Sequence, residues 1–176
     1  MTTPPDFTSG SVLTAAQMNA VGLWFIKTQT IGSAVSSVAV TGAFSADYDN
    51  YKIIISGGAS SAQAFLTLQL GSSTTGYYYA NSGVTYAGVA FVGGTSNGST
   101  FQAGSAFIGN GLQANIELQN PFLAKYTFSQ AQGMNTTFAT PSVGYHGVAT
   151  SYTGFTIGVT SGTITGGTIK IYGYRN

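Results

Sequence analysis

The chain has 176 residues, enough for one domain with a short appendage. Charged residues make up only 5% of it, and five Lys and Arg against four Asp and Glu leave a formal net charge of +1. The cations Lys27, Lys52, Lys125, Lys170 and Arg175 are scattered, which argues against a phosphate-seeking patch and a nucleic-acid partner, while zero cysteines exclude disulfides and thiolate chemistry.

Solubility therefore falls on Ser, Thr, Asn, Gln and Gly, and so low a net charge favours association. The opening "MTTPPDFTSG" has neither a basic nor an apolar region, so no signal peptide is expected. No apolar run approaches the roughly 20 residues that cross a bilayer, so no membrane insertion is expected.

The first element in the chain is a helix signal. In "LTAAQMNAVG", Thr14 and Gln17 have capping-box spacing, and Leu13 and Met18 have the spacing of a hydrophobic staple. Gly22 supplies a left-handed stop. This predicts a helix of about two turns over residues 15–21, too short to stand alone. Trp24 follows the stop and is expected to pin the helix against the sheet.

From Trp24 the pattern changes to strands: "WFIKTQTI", "SSVAVTG", "YKIIISG", "AFLTLQLG", "VTYAGVAFV", "FQAGSAFIG", "ANIELQN", "YTFSQAQG", "GFTIGVTSG" and "GTIKIYGYR". Each is rich in β-branched or aromatic residues and bounded by Gly, Ser, Asn or Pro. Their close spacing without helices between them predicts an all-β fold: an antiparallel, jelly-roll-like β-sandwich over residues 24–176, behind an N-terminal arm and short helix over residues 1–23. The Gly- and Ser-rich segments 71–76 and 93–100 read as loops.

Candidate chemistry is sparse. Asp47, Asp49 and Asn50 stand where a calcium loop would begin, but the glycine turn and distal glutamate it needs are replaced by "YKIII". Their expected role is to bond nearby backbone N–H groups and shape the turn into Tyr51. "GTSNG" (94–98) fits G-x-S-x-G with Ser96 as nucleophile, and Glu117 and His146 follow in hydrolase order, yet no helix is expected after Gly98. His146 is expected on a loop or rim. No catalytic residue, metal ligand or cofactor is expected. A polysaccharide-degrading enzyme needs two acids facing a groove, and only Asp6, Asp47, Asp49 and Glu117 are available.

The aromatic residues carry the better functional signal. Tyr77, Tyr78 and Tyr79 are consecutive, so a strand containing them sends at least one ring to each face. Core or interface filling accounts for most such rings, and exposed ones offer a sugar or a protein a flat apolar surface with a hydroxyl handle. Tyr78 and Tyr86 are the candidate contacts with a receptor or partner.

"GAFSADYDNYKIIISGG", "LTLQLGSSTTGYYY" and "GTITGGTIKIYGYRN" resemble the terminal β-domains of small structural proteins of tailed bacteriophages, among them minor tail and tail-fibre proteins. "PPDFTSGSVLTAAQMNAVG" is similar to the attachment segments that precede those domains. The resemblance implies a non-enzymatic virion protein, homotrimeric, assembled in the host cytoplasm and displayed on the outer particle surface, with tail or capsid subunits as partners. Phe7, Val12, Leu13, Met18 and Trp24 would attach it to the particle, and the β-domain would face the host, where a cell-surface glycan is a candidate ligand. No shaft repeats or coiled-coil heptads accompany it, so a capsid decoration protein is the alternative.

Overall fold

The computed structural model describes residues 10, 12, 22–109 and 111–175. The expected helix over 15–21, with Leu13 and Met18, lies outside the described residues, as does Phe7. What is described is all-β, with its strand ladders antiparallel, and the alternation of apolar residues gives strands one buried face. Its strands are β1 (Leu23–Thr30), β2 (Ser37–Val40), β3 (Tyr48–Gly57), β4 (Ala59–Ser60), β5 (Ala64–Leu70), β6 (Tyr77–Thr85) and β7 (Ala90–Gly98). They continue as β8 (Phe101–Phe107), β9 (Gly111–Gln119), β10 (Thr127–Met134), β11 (Phe138–His146), β12 (Phe155–Val159), β13 (Ile164–Thr165) and β14 (Thr168–Arg175).

Twelve of these strands form one curled sheet, and β4 and β13 make a separate ribbon. The large sheet divides at β9. One edge of β9 pairs with β3, which continues to β14 and β1. The other edge pairs first with β8, over Gly111 to Gln113, and then with β10, over Asn115 to Gln119. From β8 the ladder runs through β5 and β12 to β2, and from β10 through β11 and β6 to β7. Gly104 sits where β8 leaves β9. A Cβ there would meet the Gln113 carbonyl oxygen and, at 2.6 Å, the Ala114 Cβ, so the fork needs a residue without a side chain.

The two arms curl toward each other and share a core. Tyr77 of β6 meets Phe101 of β8 edge to face at 4.9 Å, Phe65 of β5 meets Phe138 of β11 at 5.8 Å, and the Asn81 side-chain amide donates to the Gln102 side-chain oxygen at 2.9 Å. Every second residue of the central strands is buried: Ile53 and Ile55, Ile116 and Leu118, Ile169 and Ile171, with Leu66, Leu68, Leu70 and Ile157 from the other arm. Each such side chain contributes about 1.5–3 kcal/mol on leaving water.

Three expectations are corrected, and one strand is added to those expected from the sequence. "VTYAGVAFV" is not one strand: a turn with Gly88 at φ 84° divides it, and Thr85 both accepts the Gly88 N–H at 2.8 Å and receives the Val89 N–H on its hydroxyl at 3.0 Å. Residues 93–98 are strand rather than loop, because β7 pairs along β6 from Ala90 to Gly98 and needs no apolar alternation of its own to do so. "FATPSVGYH" is a strand despite Pro141. The β10 side of β11 pairs through Pro141, whereas on the β6 side the partners step from Ala139 to Ser142, so the missing N–H interrupts one edge only. His146 ends that strand fully buried, not on a loop or rim.

Candidate functional site: an exposed aromatic row

Alternation divides the three consecutive tyrosines as the backbone period demands. Tyr77 is fully buried, Tyr79 packs against the core, and Tyr78 turns to the outer face. There it meets Tyr145 directly across from it on β11, and Tyr145 in turn stands opposite Phe128 on β10. The Tyr78 and Tyr145 rings stack at 4.9 Å with planes 9° apart, Tyr126 stacks on Tyr145 from the loop before β10 at 6.0 Å, and Phe128 lies at 6.5 Å from Tyr145. Tyr126, Phe128 and Tyr145 are 49%, 45% and 38% exposed, so the row is open to solvent. Gly144 makes the row possible. A Cβ on it would run into the Tyr78 carbonyl oxygen and lie 2.7 Å from the Tyr79 Cβ, separating β11 from β6.

Tyr126, Phe128 and Tyr145 were not singled out from the sequence. The available signal was the alternation in "YTFSQAQG", which places Tyr126 and Phe128 on one face, but Tyr145 lay in a strand that Pro141 concealed. Tyr86, the other candidate contact, is 65% exposed, but it sits in the turn after β6, at the opposite end of that strand from Tyr78. The structure does not bring Tyr78 and Tyr86 together.

Beneath the row, on the inner face, His146 is held by three elements. Its Nε2 lies 2.9 Å from the Ser73 hydroxyl and 3.0 Å from the Thr75 carbonyl oxygen, and its Nδ1 lies 3.5 Å from the Tyr152 hydroxyl. The Tyr77 ring packs on the imidazole at 4.4 Å. The Ser73 hydroxyl also donates to the Thr75 carbonyl at 3.2 Å, so imidazole, hydroxyl and carbonyl form one cluster that ties the 71–76 loop to β11. Burial holds the imidazole below its ordinary pKa of 6.5, against the opposing pull of the Thr75 and Val148 backbone groups.

Ser96 lies exposed on β7, and Glu117 is paired with Lys52 at 2.7 Å on the outer face of β9 and β3. Neither is a partner of His146, so the hydrolase order in the sequence does not become a triad. Tyr174 of β14 leans on the same pair. Burial first, then a hydrogen bond to Glu117 and its charge, push the phenol up to about 12.

Asp47 shapes its turn with Ser45. Its carboxylate accepts from the Ser45 hydroxyl at 3.0 Å, and that hydroxyl oxygen accepts the Asp47 N–H at 3.3 Å. The Asp49 carbonyl accepts the Asn120 N–H at 2.8 Å. The turn is closed by Tyr51, whose buried hydroxyl takes the Ser45 N–H at 2.8 Å and donates to the Ser45 carbonyl at 2.9 Å. Among the described residues no three of His, Cys, Asp and Glu gather to hold a metal ion.

Of the expected attachment residues, Val12 is 87% exposed and Trp24 is half-buried on β1, with an indole Nε1 that is buried without a partner among the described residues. No helix among those residues is long and apolar enough to cross a membrane. No protein-family model, curated protein or solved structure matches the chain.

Proposed function

We propose that this chain is a non-enzymatic surface component of a tailed-phage virion, a tail-fibre or minor tail protein that contacts the host through the aromatic row. The observation that carries this reading is the row itself: Tyr78, Tyr145 and Phe128 in register across three strands, with Tyr126 stacked on the central Tyr145. Aromatic rings held in the open on a rigid sheet give up little entropy on binding, and they are the residues most enriched where proteins recognise partners. A host-surface glycan suits them, with an apolar sugar face against a ring and sugar hydroxyls against the phenols. The forked sheet reads as a jelly-roll-like sandwich presenting this face, and the arm over residues 1–23 as its anchor on the particle.

The test is binding of the fluorescently labelled full chain to host cells. Combined Tyr126→Ala, Phe128→Ala and Tyr145→Ala should reduce binding about ten-fold or more while the variant stays folded, at a somewhat lower melting temperature. Equal binding by the triple variant overturns the reading.

A capsid-decoration role draws on a different observation. Leu23 and Phe25, at the start of β1 beside the arm, are 43% and 58% exposed, an apolar base suited to burial on a shell. Electron micrographs of particles carrying labelled protein separate the two, since the first reading requires label at the tail and the second on the head.

A further inference from the structure

Among the described residues, three strands end the large sheet: β1, β2 and β7. An open edge invites another chain, and proteins blunt such edges by keeping them short, charged or irregular. β2 has only 4 residues. β1 carries Lys27 and a break in register between Phe25 and Lys27. β7 runs for 9 residues without a charge or a proline, and its one irregularity falls at the Tyr77 end of β6. It is the edge left unguarded.

The outer face beside it is apolar. Ala90, Val84, Ala139 and Met134 stand in register across β7, β6, β11 and β10, and Val84, Val92 and Met134 are 52%, 85% and 45% exposed. Val84, Val92 and Pro141 help to line a shallow groove of about 500 Å³ on this face. The sequence has no Asp, Glu, Lys or Arg from residue 53 to 116 or from 126 to 169, so none of these four strands carries a fixed charge. The aromatic row lies at the other end of β6, with Tyr78 and Val84 roughly 20 Å apart along the strand.

We infer that a second copy of this chain packs against the β7 side of the sheet, over Val84 and Val92. A charge-free face of small side chains meets its own likeness without like-charge repulsion, yet has no charge with which to single out a foreign protein. The unguarded backbone edge needs a strand to complete it, and a copy brings one of the same length and chemistry. A net charge of +1 does little to hold copies apart. The inference is independent of what the aromatic row binds.

Light scattering on the full chain tests it. The expected mass is a multiple of the single chain that persists in high salt, because apolar burial is not screened. Val84→Lys with Val92→Lys should weaken association roughly a hundred-fold or more, the effect of burying unpaired charge. Phe25→Lys, on the β1 edge, should leave association intact. Should the double variant misfold, Val92→Cys gives the chain its one thiol, and an environment-sensitive dye on it should report burial as concentration rises. A single-chain mass at every concentration, a multimer indifferent to both lysines, or dye emission that never shifts overturns the proposal. Host-cell binding that fails while association holds counts against the aromatic row alone.

Discussion

The Tyr77 hydroxyl accepts the backbone N–H of Leu70 at 2.7 Å, so a side chain from β6 caps the end of β5. The same hydroxyl donates to the Ser73 carbonyl at 3.2 Å, closing the 71–76 loop over a fully buried ring. Tyr51 does the same for the turn before β3 through Ser45. Two loops rich in small polar residues are thus held by phenols that fill the core and spend their hydroxyls on backbone groups.

Tyr77→Phe keeps the ring and strands the buried Leu70 N–H. The expected loss is about 1–3 kcal/mol, read as a lower urea midpoint at constant slope. An unchanged midpoint would mean the cap contributes nothing. Burial also pushes this phenol up to about 12 from 10.0. Its neutral form is the one the fold prefers, so its contribution is complete below pH 10.0 and is lost as pH climbs through about 12.

His146 should make the fold sensitive to mild acid. Its folded pKa lies below 6.5 because the buried imidazole resists charging. Above 6.5 both folded and unfolded states are neutral there, and stability is unaffected. As pH falls through 6.5 the unfolded chain takes up the proton first, and stability declines until the folded imidazole also protonates. The groups facing it are Ser73, Thr75, Tyr77, Tyr152 and the Val148 backbone, none of them a carboxylate that could offset the charge. Melting temperatures measured downward from neutral pH should drop, and His146→Gln should remove that part of the slope. A slope identical in both proteins defeats the prediction.

Gly144→Ala places a methyl between β11 and β6, with the Tyr79 Cβ at 2.7 Å and the Tyr78 carbonyl in the way. The expected cost is about 1–3 kcal/mol of stability. The stacked pair Tyr78 and Tyr145 should separate as well, visible as a loss of near-ultraviolet circular dichroism. A variant as stable as the parent, with the same spectrum, would show that the strands have room to spare.

The legible parts of the fold were those with a strong period. In Phe65 to Leu70 and in Phe155 to Val159 the buried positions fall on alternate residues, as expected from the sequence. Residues 93–98 of β7 read as loop because Gly93, Gly94, Ser96 and Asn97 have turn chemistry, yet a strand at a sheet edge needs only one partner and little burial to exist. β11 was missed because a proline argues against a central strand, and nothing local says that one of its two edges tolerates the gap. The aromatic row was half visible: Tyr78 could be placed on a face by counting, but its neighbours come from residues 126–145, and register between distant strands is not written in either strand. The fork at β9 is a property of three partners at once and left no local trace apart from Gly104.

β14, from Thr168 to Arg175, lies between β1 and β3, and β12 lies between β2 and β5. Strands synthesised early therefore wait, unpaired on at least one side, until the far end of the described chain has emerged from the ribosome. Such a topology makes folding slow relative to helical proteins of this length and leaves sticky intermediates in the meantime. Yield in the cell should depend on how well those waiting strands are shielded, more than on the final stability of the sheet.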